Sequence, residues 1–265
     1  MKITTLVENT TCRDDVLCEH GLSLYIETKK HTILFDTGQS EMLVENAKSL
    51  GIDLDAVDIV ILSHGHYDHG GGLPAFLQIN HHAKVYMHQD ACNPHYNGTQ
   101  KDIGILESLK NHEQVLVINQ DSFYLDDGYI LYTCNDRPKK YPINSYGLTK
   151  KIDGHFVPDD FIHEQYLEIN ESGKKVLISG CSHKGILNIM NWFHPDVLVG
   201  GFHFKKLDPT RLEDQKTLLH AAKELSTYPC MYYTCHCTGV KQYEYLKSYM
   251  QDKLEYLSAG SSITI

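Results

Sequence analysis

Three histidines and an aspartate, His64, His66, Asp68 and His69, fall within six residues of the stretch ILSHGHYDHGGGL at 61–73. Imidazole with carboxylate is a donor set that suits zinc, iron or manganese rather than calcium or magnesium. His64 and His66 are two apart on a segment leaving the apolar run IVILS, so both can address one point if the backbone turns after them. Asp68 and His69 lie beyond that turn and can serve a second point. One loop can thereby seed two metal sites about 3.5–4 Å apart, the separation used by two-metal hydrolases. The bland alternative, a histidine-rich surface loop that binds nothing, suits a lone histidine better than this spacing behind a buried strand.

Four residues cannot close two sites, so further donors must come from the loops at the ends of later strands. KVLISGCSHKG places His183 between a strand and a helix, YYTCHCTG does the same for His236, and VLVGGFHF offers His203. Cys235 and Cys237 flank His236, and thiolate is a good zinc ligand. Alternation along a strand, however, turns both away from the face that His236 uses, which makes them core residues. His20 is on an early loop that could line the site, while His31, His81, His82, His95, His112, His194 and His220 read as solvated or packed. Gly70, Gly71 and Gly72 match neither a phosphate loop nor a dinucleotide fingerprint and instead permit close backbone turning around the metal loop.

These loops need a strand-rich scaffold. Short β-prone runs recur at 2–7, 22–27, 32–36, 58–63, 83–88, 114–118, 129–133, 175–179, 196–201 and 230–235. Helical patterns fit between them: one capped by Ser40 and ending before Gly51, one after Gly185, one over 211–226 and one near 242–250. Early strands come in a run and later ones alternate with helices. That order predicts an α/β fold, an αββα sandwich of two mixed sheets with helices outside. Residues 134–165, with three prolines and poor periodicity, read as a substrate-side flap within a single domain of residues 1–265.

Composition narrows the function. The apolar fraction of 42% is that of an ordinary globular chain, and no basic, apolar leader or run of about 20 apolar residues is present, so a cytoplasmic protein with no membrane association is expected. Eight irregularly spaced cysteines read as reduced thiols. A net charge of -10 disfavours a nucleic-acid partner.

TILFDTG with Asp36, LSHGHYDHGGGL, GCSHKG and CHCTG together resemble the metallo-β-lactamase superfamily of metallohydrolases, over about residues 3–262. Within it, EHGLSLYIE, GCSHKGI, GGFHF and CHCTG look like the branch that includes dihydropterin-ribofuranosylaminobenzene phosphate synthases. The resemblance implies one metal on His64, His66 and His183 and another on Asp68, His69 and His236, with two divalent ions, zinc first and iron or manganese as alternatives. It also implies that Asp36 orients a ligand or the loop; a simple turn cap before Gly38 is the other reading. The aspartate that usually bridges the two metals has no clear counterpart. GCSH offers Cys181 where it is expected and VGGFH offers His203; if Cys181 takes that place, His183 is displaced from its role, whereas a missing bridge weakens the second site and leaves a single-metal centre.

A bound divalent ion lowers the pKa of its water to about 7. The expected reaction is therefore metal-dependent hydrolysis by an activated water, with Asp68 both ligand and orienter of the nucleophile. A phosphodiester or other phosphorylated small-molecule ester leads as substrate, because Arg137, Lys139, Lys140, Tyr141 and Tyr146 could clamp an anion and a ring. A solvated charge run is an equal reading of those five. A pterin-type transferase and a non-catalytic metal-bearing sensor are the alternatives.

Overall fold

The computed structural model describes all of residues 1–265. In chain order the strands are β1 (Lys2–Val7), β2 (Ser23–Glu27), β3 (Thr32–Phe35), β4 (Ile59–Ile61), β5 (Lys84–His88), β6 (His95–Asn97), β7 (Lys101–Asp102), β8 (Val115–Ile118) and β9 (Ser122–Asp126). There follow β10 (Tyr129–Tyr132), β11 (Leu148–Ile152), β12 (His155–Pro158), β13 (Tyr166–Glu171), β14 (Lys174–Ser179), β15 (Val197–Val199), β16 (Met231–Thr234), β17 (Leu254–Tyr256) and β18 (Ser262–Thr264). The helices are α1 (Met42–Ser49), α2 (Tyr67–Gly70), α3 (Leu73–Leu77), α4 (Ile186–Phe193), α5 (Leu212–Ser226) and α6 (Val240–Met250). No helix is long and apolar enough to cross a membrane.

The chain forms two compact units, the first from residues 1–120, 147–165 and 258–265, the second from 121–146 and 166–257. The first unit carries a seven-stranded sheet in the order β18-β1-β2-β3-β4-β5-β8. Its pairings are antiparallel from β18 to β3 and parallel from β3 to β8. The second unit carries β17-β16-β15-β14-β13-β10-β9, parallel from β17 to β14 and antiparallel beyond. The expected α/β class with mixed sheets is what the chain adopts. The parallel strands β4 and β15 are buried throughout, as parallel strands covered on both faces must be, which is why they read as unbroken apolar runs.

Each unit has its own core. Leu34, Val60, Phe76 and Met87 are fully buried in the first, and Leu177, Ile189, Leu198 and Tyr232 in the second. Helix α1 starts two residues after Ser40, whose Oγ still accepts the Met42 N–H at 3.1 Å. Its end is a Schellman turn: Gly51 N–H bonds Lys48 O at 3.2 Å and Ile52 N–H bonds Ala47 O at 2.8 Å, with Gly51 at a φ of 66°. Residues 147–165 of the expected flap build the hairpin β11–β12, which with β6 and β7 makes a four-stranded antiparallel sheet of the first unit. Residues 134–146 belong to the second unit.

Candidate metal centre

In the first unit β4 ends at Ile61, the chain bends at His64 and Gly65, and an extended His66 leads into the short helix α2. His64 and His66 therefore precede the turn, Asp68 and His69 lie on it, and all four side chains are buried or nearly so. His64 brings a ring nitrogen to within 4.8 Å of one on His66 and likewise of one on His69. Asp68 Oδ2 lies 4.0 Å from His69 Nε2 and 3.1 Å from His20 Nε2, which puts His20 at the site.

Hydrogen bonding fixes which nitrogen each ring presents. Asp36, fully buried at the end of β3, accepts the Ser63 N–H and Oγ–H, both at 2.7 Å. With its proton so committed, Ser63 Oγ accepts from His64 Nδ1 at 2.8 Å, and Asp36 Oδ2 accepts from His69 Nδ1 at 2.6 Å. A neutral imidazole whose Nδ1 holds the proton has its lone pair on Nε2, so both rings present Nε2 as a metal donor. Burial, with His163 adding to it, holds His66 well below the ordinary histidine value against the opposing pull of Asp68, so His66 too carries a lone pair. Buried imidazoles beside a carboxylate are a donor set that fits a divalent metal.

Glycine lets this loop close. A Cβ on Gly65 would fall 1.8 Å from Ala91 O, and one on Gly72 would fall 2.1 Å from Thr37 O. Close approach, rather than a positive φ, is what these glycines supply.

Behind the loop lies a group that the sequence did not single out. His95, Asp159 and His163 are buried, and with His66 they bring ligand-type atoms within 4.8 Å of one another. Gly65 N–H donates to His163 Nδ1 at 2.9 Å, which places that ring's proton on Nε2, 3.5 Å from Asp159 Oδ2. His95 Nδ1 lies 2.9 Å from the same oxygen, and Phe161 N–H donates to Oδ1 at 2.8 Å. Burial alone would raise the Asp159 carboxyl, but hydrogen bonds from His163 and His95 outweigh it and hold the group far below the usual range. His95 and the Phe161 N–H hold Asp159, and His163 braces Gly65 from behind the loop; His66, His95, Asp159 and His163 together form a second group of buried ligand-type atoms. His95, expected as solvated or packed, is packed. The only signals in sequence were Asp159 and His163 four apart in PDDFIHE, without a periodic element to place them.

In the second unit the parallel strands β14, β15 and β16 each deliver one candidate from a loop at the carboxyl end: His183, His203 and His236. Ligands gather there in open parallel sheets. Cys181, His183 and His203 offer ligand atoms within 4.8 Å of one another, with the His183 and His203 rings 4.3 Å apart. His203 and His236 both have left-handed backbones, at φ 57° and 50°. His236 is buried at the start of a single 3-10 turn after β16, so strand alternation does not govern its neighbours. Cys235 and Cys237 are nonetheless buried, and Cys237 Sγ lies 3.4 Å from Cys181 O and accepts the His203 N–H at 3.3 Å.

A cavity of about 220 Å³ opens within the second unit, with Tyr141, Tyr146, His183, Phe202, His203 and Phe204 in its wall. The anion clamp expected from 137–146 is not assembled there. The Arg137 guanidinium stacks on Tyr132 and Phe193, 5.0 and 4.8 Å from the ring centroids, and Lys140 lies over Tyr141. Tyr141 and Tyr146 reach the cavity because their apolar rings pack inward; the cations stay outside or stack on aromatic faces.

The sequence model described as the Metallo-beta-lactamase superfamily matches residues 17–221. An uncharacterised protein of Methanocaldococcus jannaschii is 32% identical over 211 residues, 76% of this chain and 78% of the relative. A second protein of that organism, named 7,8-dihydropterin-6-methyl-4-(beta-D-ribofuranosyl)-aminobenzene-5'-phosphate synthase, is 30% identical over 292 aligned positions, 99% of this chain and 96% of the relative. Among solved structures, Tm1679, described as a metal-dependent hydrolase of the beta-lactamase superfamily, superposes with a TM-score of 0.81 at 26% identity, over 100% of this chain and 99% of that one.

Proposed function

Because this chain belongs to the metallo-beta-lactamase superfamily, we propose that it is a metal-dependent hydrolase acting on a phosphodiester or other phosphorylated small-molecule ester. One observation carries the reading: Ser63 and Asp36 accept hydrogen bonds from Nδ1 of His64 and His69, the outer contacts that orient metal-binding imidazoles. The ligand set we propose is His64, His66, Asp68, His69, His183 and His236, holding two divalent ions, zinc before iron or manganese. When bound, such ions supply Lewis acidity and a water with a pKa of about 7.

The chain's own residues do the rest. Asp68, held by His20, is placed to accept a proton from the attacking water and keep its lone pair on the ester. Asp36 and Ser63 fix the His64 and His69 rings, so no reorientation is needed when charge develops. From the segment 134–165 we assign Tyr141 and Tyr146 to the substrate side. The net charge of -10 favours a small molecule over a polynucleotide as substrate.

The near full-length relative named as a synthase supports a second reading, a pterin-type transferase. Turnover separates the two. A hydrolase cleaves bis(p-nitrophenyl) phosphate, with a rate that falls at least about 100-fold in His64→Ala and in Asp68→Ala. A transferase shows little generic hydrolysis but consumes a dihydropterin precursor together with an aminobenzene ribosyl phosphate. Ligand binding without product from either assay contradicts both and leaves a metal-bearing sensor.

A further inference from the structure

We infer that His203, on the hydrolase reading, is a catalytic residue and not a metal ligand: its ring N–H donates to the oxygen through which the leaving group departs. The backbone that carries it is clamped along its length. Beyond β15, Gly201 N–H bonds Gly180 O at 2.8 Å, Phe202 N–H bonds Thr238 Oγ1 at 2.8 Å, and His203 N–H reaches Cys237 Sγ at 3.3 Å. Glycine permits that approach, since a Cβ on Gly200 would fall 1.7 Å from Ser179 O and one on Gly201 would fall 2.3 Å from Cys237 Sγ. His203 itself sits at φ 57°, a left-handed backbone that is costly for a residue with a side chain and persists only where the surroundings impose it.

The ring so held is aimed at nothing in the protein. Both of its nitrogens are buried, and neither has a hydrogen-bond partner. Two such atoms cost free energy unless something enters to satisfy them. They also set His203 apart from the proposed ligands. An imidazole that binds a metal through one nitrogen normally donates the other N–H to an outer partner, as His64 does to Ser63 and His69 to Asp36. His203 has no such partner on either nitrogen, so a substrate atom is the better match. Its ring lies 4.3 Å from that of His183 and 5.5 Å from that of Tyr146, all three in the cavity wall. An ester with its reacting phosphorus beside His183 and its leaving group toward Tyr146 presents the bridging oxygen to His203. In hydrolysis the bond from phosphorus to that oxygen breaks and the electron pair stays on the oxygen, while water makes the new bond to phosphorus and gives its proton to Asp68. His203 stabilises the departing anion by hydrogen bonding and keeps its own proton; solvent protonates the anion after release. Neutral imidazole has one N–H and imidazolium two, so the donor exists in either state. A preorganised donor of this kind is worth about 10²–10³ in kcat.

Bis(p-nitrophenyl) phosphate and diphenyl phosphate differ in the basicity of the leaving oxygen and test the role on the intact, metal-loaded protein. His203→Phe keeps a ring and removes both nitrogens. It is expected to lower kcat at least about 100-fold on diphenyl phosphate but only about tenfold on bis(p-nitrophenyl) phosphate, whose leaving anion needs less help, with KM changed less than about threefold. His203→Asn keeps an N–H and tolerates the left-handed backbone, and is expected to recover at least about tenfold of the loss on diphenyl phosphate. Two readouts do not depend on turnover. Metal content is expected to match the wild type in both variants, and the melting temperature of His203→Phe to hold or rise, because two unsatisfied nitrogens have become carbon. Equal losses on the two esters, a loss confined to KM, or a fall in metal content overturns the inference. If the wild type hydrolyses neither ester, the hydrolase reading falls and the role of His203 with it; turnover of both with equal losses in His203→Phe sinks the role of His203 alone.

Discussion

Asp36 joins the metal loop to the sheet through three hydrogen bonds, two from Ser63 and one from His69. Replacing it with Ala frees the His69 ring to turn and leaves Ser63 without its acceptor. Outer-shell partners of this kind are worth about 10–100-fold in metal affinity, so Asp36→Ala should lose metal to a competing chelator at a correspondingly lower chelator concentration. An unchanged competition curve would show that Asp36 is only a turn residue. Asp159 has the same logic one layer further out. Asp159→Ala strands His95 and His163 in the interior and removes the brace behind Gly65, for an expected destabilisation of about 3 kcal/mol in urea unfolding. Asp36 was legible in the sequence because it closes a recognisable strand end, ILFDTG. Asp159, His95 and His163 were not, because only the pairing of β6 with β11 brings their segments together.

At the scale of elements, most strands announced themselves. The runs at β1 to β5, β8, β10 and β14 to β16 are β-rich, most of them buried with β8 the exposed exception, and all ten lie within one or two residues of where the sequence puts them. Strand β13 was missed although its hairpin to β14 turns on Ser172-Gly173, both at positive φ, a primed-turn signal. Strands β6, β7, β11 and β12 are short and largely exposed, so burial imposes little pattern on them. Two glycines separate steric need from conformational need. Gly65→Ala drives a Cβ into Ala91 O and should displace the loop, lowering both metal content and melting temperature, whereas Gly51→Ala meets open space at φ 66° and should cost only about 1 kcal/mol. Comparable losses from both substitutions would contradict the close packing assigned to Gly65.

Over the whole molecule the chain passes between its two units four times, so neither unit is a continuous stretch of sequence. Metal that binds the folded chain and not the unfolded one stabilises it by mass action, about 4 kcal/mol at a thousandfold excess over Kd. Exhaustive chelation should therefore lower the melting temperature by several degrees, and added zinc should restore it; indifference to both would speak against a metal centre. The metal loop was legible from four residues in one stretch. The place of the bridging aspartate was not, since Cys181 and His203 both lie beside His183 and spacing alone cannot choose between them. The most direct measurement is elemental analysis of protein purified without a metal-affinity tag, wild type beside His64→Ala, His183→Ala and His203→Ala. About two ions per chain, reduced by His64→Ala and His183→Ala and unchanged by His203→Ala, is the predicted result. No bound ion in the wild type, or a loss with His203→Ala in place of His183→Ala, would contradict it.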